Sequence, residues 1–114
     1  MQDCIFCRIV SGELPASVVY EDELVVVFKD IKPVAPVHLL IIPKKHVESL
    51  WALQDEDALL AGHIQLVAGR VARQMGLEDG GFRLVCNCGR DAGQVVWHIH
   101  YHLLAGRPMQ WPPG

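Results

Sequence analysis

The chain has 114 residues, of which 51% are hydrophobic and 20% charged, with a formal net charge of −3. That length suits one domain, residues 1–114, with a core of its own. The mild acidity gives no global field toward nucleic acid or a membrane surface, so neither is an expected partner, and any phosphate must be caught by a local site.

The opening "MQDCIFCRIV" carries Asp3 early and only a short apolar stretch, unlike a signal peptide. No uninterrupted apolar run is long enough to span a bilayer, and a soluble, cytoplasmic protein is the expectation. "CIFCRIVSG" reads as a short helix ending near Gly12. "SVVYED" and "ELVVVFKD" are β-branched runs parted by the turn-like Glu21-Asp22-Glu23, which predicts a hairpin. "IKPVAP" is excluded from a central strand because Pro33 and Pro36 lack ladder donors; it should be a loop feeding a third strand over residues 37–43.

One long helix is predicted over residues 55–76. Leu60, Ile64, Val67, Val71 and Met75 recur at spacings of three and four and form one apolar stripe. Asp55 and Asp57 favour its start, and Gly76 suits its end. His63, beside the stripe, reads as a structural or surface histidine. "GGFRLVCN" (80–87) and "QVVWHIHYHLLAG" (94–106) are the last two strands, joined by "CGRDAG". The order of three strands, a long helix and two strands predicts an α+β domain with an antiparallel sheet.

The last segment holds half of the six histidines, His98, His100 and His102, in an apolar run. On a helix, positions 98 and 100 would point to nearly opposite sides. On a strand all three share one face, while Trp97, Ile99, Tyr101 and Leu103 share the other, which is core. Same-face neighbours on a strand lie about 6.6 Å apart, too far for three imidazoles to bind one metal with bonds of about 2 Å. Two can converge on an ion, leaving the third as a candidate nucleophile or acid–base group. A polar face without chemistry is the other reading. The adjoining glycines permit close backbone approach, and Asn87 and Gln94 bring amides to the mouth of the histidine face, as a phosphate oxyanion would need. The cysteines occur as Cys4/Cys7 and Cys86/Cys88. Without a secretory signal, structural disulfides are not expected, and the C-x-x-C pair suits a metal or redox role.

"HIHYHLL" resembles the signature of the histidine triad (HIT) nucleotide hydrolases and transferases. "CIFCRIVSGELPA", "FKDIKPVAP", "HLLIIPKKH", "GGFRLV" and "GRPMQWPPG" follow the family order along nearly the whole chain. The closing "WPPG" resembles the Hint branch of nucleotide-binding proteins. The resemblance implies a five-stranded antiparallel sheet with one long and one short helix, joined to a second sheet across a homodimer. It implies a purine nucleoside phosphoramidate hydrolase in which His100 attacks the α-phosphorus and forms a nucleotidyl-histidine. His102 would contact the phosphate, His38 would support the histidines, and Asp30 would hold the ribose. Phe28, Ile31, Ile5, Phe6, Ile9 and Leu14 would form the base slot, although core packing explains them equally well. Family relatives also bind zinc through positions matching Cys4, Cys7, His46 and His98, a closed tetrahedral set. One departure matters. Val95 stands where animal Hint proteins often carry a serine whose hydroxyl reaches the phosphate or leaving group. This opens an alternative: a purine-nucleotide-binding regulatory dimer with weak hydrolase activity.

Overall fold

The computed structural model describes residues 3–114. Its elements are α1 (Ile5–Val10), β1 (Val18–Glu21), β2 (Val25–Lys29), β3 (Val37–Pro43), α2 (Ala58–Gln74), β4 (Phe82–Val85) and β5 (Tyr101–Ala105). The strands form one antiparallel sheet in the order β1-β2-β3-β5-β4, so the expected α+β architecture is present.

Alternation sorts the strand residues onto two unlike faces. Val25, Val27, Leu39, Ile41, Tyr101, Leu103 and Ala105 pack against α2, with Leu60, Ile64, Val67 and Val71 of its stripe. Met75 leaves the predicted stripe. It caps the helix and is substantially exposed, because the helical register ends at Gln74 and Gly76 turns the chain with φ +75°. The start also differs from the expectation: residues Asp55–Asp57 form a 3-10 turn ahead of the helix. There Asp57 Oδ2 accepts from the Gln54 amide at 2.9 Å and Oδ1 accepts from Lys45 Nζ at 2.6 Å. A second short turn, Leu50–Ala52, had no signal in the sequence.

The opposite face carries Val26, Phe28, Leu40 and Ile42, with His38 and His102, and α1 lays Phe6 across it. Phe6 meets Phe28 edge to face at a ring separation of 5.8 Å. The strands β3 and β5 are central, and their register sets Leu40 against His102 and His38 against Leu104. That places His38 and His102 diagonally on one face.

The two C-terminal strands are shorter than predicted. β4 ends at Val85, and β5 begins only at Tyr101. Residues 94–100 run as an extended loop because other partners take their polar groups. Ile99 N donates to Val47 O at 2.6 Å, and His98 Nε2 bonds Pro43 O at 2.8 Å. The side-to-side alternation nonetheless continues upstream to His98. Trp97 breaks it: predicted as core, it is half exposed.

His63 is structural, tied to the β1–β2 turn. Its Nε2 lies 2.6 Å from Asp22 Oδ2, which also accepts from Tyr20 Oη at 2.8 Å; Oδ1 accepts from the amides of Leu24 and Val25. Burial alone would raise the Asp22 pKa, but His63, Leu24 N, Tyr20 and Val25 N outweigh it and hold the carboxyl well below the usual carboxylate range. A depressed carboxylate stabilises the fold above its ordinary pKa, near 3.8, and loses that contribution as the pH falls. Asp22→Asn should therefore melt below wild type near neutral pH, with the gap narrowing progressively as the pH falls below about 4; a gap constant with pH contradicts this.

Gly106 closes β5 at φ +96°, and a Cβ there would sit 2.7 Å from Pro36 Cβ. Gly106→Ala combines an unfavourable backbone conformation with that clash and should cost on the order of 2 kcal/mol or more. Thermal denaturation reads it as a fall of several degrees in midpoint, and an unchanged midpoint refutes it.

Candidate functional site

The site begins with His98, which is fully buried. Pro43 O can only accept, so His98 Nε2 carries the ring proton. Its Nδ1 lone pair then faces two thiols, Cys4 Sγ at 3.4 Å and Cys7 Sγ at 3.6 Å. Cys4 caps α1 and Cys7 lies one turn on, so the C-x-x-C spacing puts both sulfurs on the same side. His46, just beyond β3, brings its Nδ1 to 3.2 Å from Cys7 Sγ.

All four donor atoms of Cys4, Cys7, His46 and His98 lie within 4.8 Å of one another. Bonds of about 2.3 Å to sulfur and about 2.0 Å to nitrogen, at tetrahedral angles, place sulfur and nitrogen roughly 3.5 Å apart. The sulfur–nitrogen separations of 3.2–3.6 Å match that spacing. Burial, and then the neighbouring Cys4 thiol, raise the Cys7 pKa; a dication would relieve both costs. These four residues could hold a tetrahedral metal.

His98 also acts through its backbone. Its carbonyl oxygen lies 2.8 Å from His100 Nδ1, so that nitrogen carries the proton and Nε2 keeps a free lone pair. His100 is buried beneath Phe6, edge to face at 5.1 Å. Burial lowers the His100 pKa, although the His98 carbonyl and the charge of Asp30 oppose the shift. At neutral pH the ring is an uncharged nucleophile or base.

The third histidine belongs to a separate chain of bonds. Val34 N donates to His38 Nδ1 at 3.1 Å, so the His38 proton sits on Nε2. From there it reaches His102 Nδ1 at 2.9 Å, with Asp30 Oδ2 3.4 Å away. A neutral His102 must therefore hold its proton on Nε2. Burial, then the neighbouring His100 and His38, lower the His102 pKa to about 4. Asp30 itself caps the following loop by accepting from Lys32 N at 2.7 Å. The three donors of Asp30, His38 and His102 are also close enough to form a metal set, but the His38–His102 hydrogen bond already satisfies two of them.

The remaining predicted residues fall into distinct groups. Phe6 and Phe28 are core, with Ile9 partly buried against them. Leu14 and Asn87 are half buried. Ile31, Ile5 and Val95 expose 92, 45 and 82% of their surfaces. Gln94 does not offer its amide to a ligand as expected. It is buried, and its Nε2 donates to Glu48 O and Val96 O while its Oε1 accepts from Gly89 N. It staples the glycine loop to the segment after β3. Among the described residues, the sequence reading missed the acceptors Pro43 O and Val47 O, since backbone carbonyls leave no signature in a sequence.

A family model for the HIT domain matches residues 11–109. An uncharacterized HIT-like protein of Synechocystis is 51% identical over 113 residues, covering 99% of this chain and 98% of that protein. A HIT family hydrolase from Legionella pneumophila superposes with a TM-score of 0.96 at 50% identity, covering 98% of this chain and all of the other. A histidine triad nucleotide-binding protein from Candida albicans superposes at 0.83 with 34% identity, over 96% of this chain and 83% of its own. Sequence match and superposition both extend over nearly all of the polypeptide, and the chain belongs to the HIT domain family.

Proposed function

We propose that the protein is a purine nucleoside phosphoramidate hydrolase of the Hint type, working through a nucleotidyl-histidine at His100. The observation that carries this reading is the bond from His100 Nδ1 to the His98 carbonyl, which leaves Nε2 unprotonated on a buried ring beside the half-buried, uncharged His102. Nε2 attacks the α-phosphorus, the P–N bond breaks, and its electron pair departs with the amine nitrogen, which takes up a proton from solvent. Water then attacks phosphorus, the bond to His100 breaks, and the electron pair returns to Nε2 as nucleoside monophosphate and a proton leave.

His102, protonated on Nε2, donates to a phosphoryl oxygen, and His38 with Asp30 holds it in that tautomer. Asp30 takes the ribose hydroxyls. The exposed Ile5 and Ile31, with Phe6, Phe28, Ile9 and Leu14 behind them, offer apolar surface to a purine, and Asn87 with the backbone of residues 93–96 lines the phosphate. Cys4, Cys7, His46 and His98 hold a structural zinc. A zinc held by these four side chains would supply a crosslink between α1, the residue after β3 and the loop before β5, and the chemistry expected of such a donor set is structural. The protein works as a homodimer in the cytoplasm, its two sheets joined into one. The structure holds no helix long and apolar enough to cross a membrane among the described residues.

Two observations favour a second reading, a regulatory nucleotide-binding dimer with weak turnover. Val95 has no hydroxyl to offer, and the Gln94 amide is fully engaged within the protein. Wild type and His100→Ala separate the two readings when assayed on adenosine 5′-phosphoramidate. The hydrolase reading expects a loss of at least about 10³-fold in kcat/KM in the variant, whereas equal turnover removes His100 from the attack.

Protein purified without chelator should contain about one zinc per chain. Its removal should lower the thermal midpoint. A metal content below about half an equivalent, with no uptake on titration, contradicts the four-residue site.

A further inference from the structure

The second thiol pair, Cys86 and Cys88, belongs to neither the metal cluster nor the histidine network, and both thiols are free and half buried. It lies just beyond β4, whose last pair with β5 is Val85 with His102. Carrying that register one residue further sets Cys86 against Tyr101, and a second step sets Asn87 against His100. Side-chain contacts agree at the first step. Cys86 packs on the α2 face in the cluster that holds Tyr101 and Leu84, and the Tyr101 side chain acts directly on its thiol. Cys88 is also felt at Cys86, as befits residues two apart on an extended chain, whose side chains share a face. The pair therefore brackets Asn87, the residue that lines the phosphate in the hydrolase reading.

This short segment hangs between two anchors. The β-ladder stops at Val85, and on the far side Gly89 N donates to Gln94 Oε1 at 3.0 Å. Gly89, with φ +91°, gives the chain a ready pivot after Cys88. On an extended chain, Cα atoms two residues apart are separated by about 6.6 Å. That is the upper edge of the span a disulfide bridges, about 4.4–6.8 Å. A bond between the two sulfurs would draw Cys88 toward Cys86, pucker the chain, and displace Asn87 from its place opposite His100.

We propose that Cys86 and Cys88 are a modification site, joined reversibly into a disulfide by a small-molecule disulfide such as glutathione disulfide, and that this bond switches the histidine site off by displacing Asn87. The loss of turnover rests on the hydrolase reading above; the bond and the displacement do not. Burial, and then the nearby Cys88, push the Cys86 thiol up to about 11, so Cys88 makes the first attack. With its proton lost to solvent, Cys88 Sγ bonds to one sulfur of the oxidant. The other glutathione leaves with the electron pair of the broken S–S bond and takes up a proton. Cys86, giving its own proton to solvent, then attacks Cys88 Sγ and expels the second glutathione in the same way. Two cysteine thiols are oxidised, and one glutathione disulfide is reduced to two thiols.

The test incubates protein purified without chelator in glutathione buffers from fully reduced to fully oxidised, followed by alkylation, peptide mapping and a colorimetric assay for released zinc. In the oxidised buffer we expect the peptide spanning residues 86–88 to lose two hydrogens and to alkylate at neither sulfur, with zinc retained. Hydrolysis of adenosine 5′-phosphoramidate should fall about ten-fold or more and return with dithiothreitol. Cys88→Ser and Cys86→Val each block the bond, and their turnover should not respond to the buffer. Free thiols at both positions in the oxidised buffer overturn the proposal. So does a glutathione adduct left standing on Cys88, or oxidation of Cys4 and Cys7 with zinc release while Cys86 and Cys88 stay reduced. A complete disulfide with turnover unchanged overturns it as well. Failure of the hydrolase reading looks different, because the reduced wild type then turns over nothing. The switch is in that case judged from the imidazole NMR signals of His100. A shift on oxidation that is absent in Cys88→Ser sustains it, and unmoved signals overturn it.

Discussion

His98 is the residue on which the rest of this site hangs. Its ring is bonded on one edge to the last carbonyl of β3 and on the other faces the two thiols of α1, while its own carbonyl fixes the proton of the next histidine. One fully buried side chain therefore joins the sheet, the first helix and the His100 ring. Burial pushes its pKa down to about 4, with the Pro43 carbonyl opposing and nearby histidines assisting. It thus stays neutral, which a ring bonded on both edges inside a protein requires. The alternative, a charged imidazolium in the same place, would carry a proton on Nδ1 and could no longer present a lone pair there.

The division of the sheet into two faces explains why such a site can be kept dry without being part of the main core. The face toward α2 is dominated by aliphatic side chains and supplies cohesion. The other is covered by the six-residue helix α1, with Ala16 and Val96 packed beside it. Six residues make too short a helix to stand by propensity alone, so α1 is held by Phe6 against Phe28 and by its cysteines toward His46 and His98. Whatever stabilises that helix also covers His100.

Much of this was readable in the residues. The period-two alternation of "HIHYHLL" separates histidines from core side chains, and the 60, 64, 67, 71 stripe locates α2 and its buried face. The three same-face histidines part company in the structure: His98 turns to the cysteines and His102 to His38. What escaped the sequence has a common physical origin in tertiary partners for groups that local patterns treat as free. Trp97 alternates correctly for core yet is half exposed beside Asp3 and Val95. Met75 fits the stripe by count but falls past the last helical turn. Gln94 looks like a ligand donor until Glu48, Val96 and Gly89 take its amide. The end of β5 at Tyr101 depends on Val47 and Pro43, some fifty residues away in the chain.

The strand order carries a consequence for how the molecule comes into being. The two central strands that bear His38 and His102 are separated by 64 positions, and Cys4 meets His98 across 94. Contacts of such long sequence separation close late and slowly. A growing polypeptide can form the hairpin and the long helix early, yet β3 lacks its second neighbour until Tyr101–Ala105 have left the ribosome. Until then Leu39 and Ile41 lack their partner strand, and His100 has no fixed tautomer. The histidine arrangement thus forms together with strand β5, so that completion of the sheet and assembly of the histidine cluster are a single event in the life of each molecule.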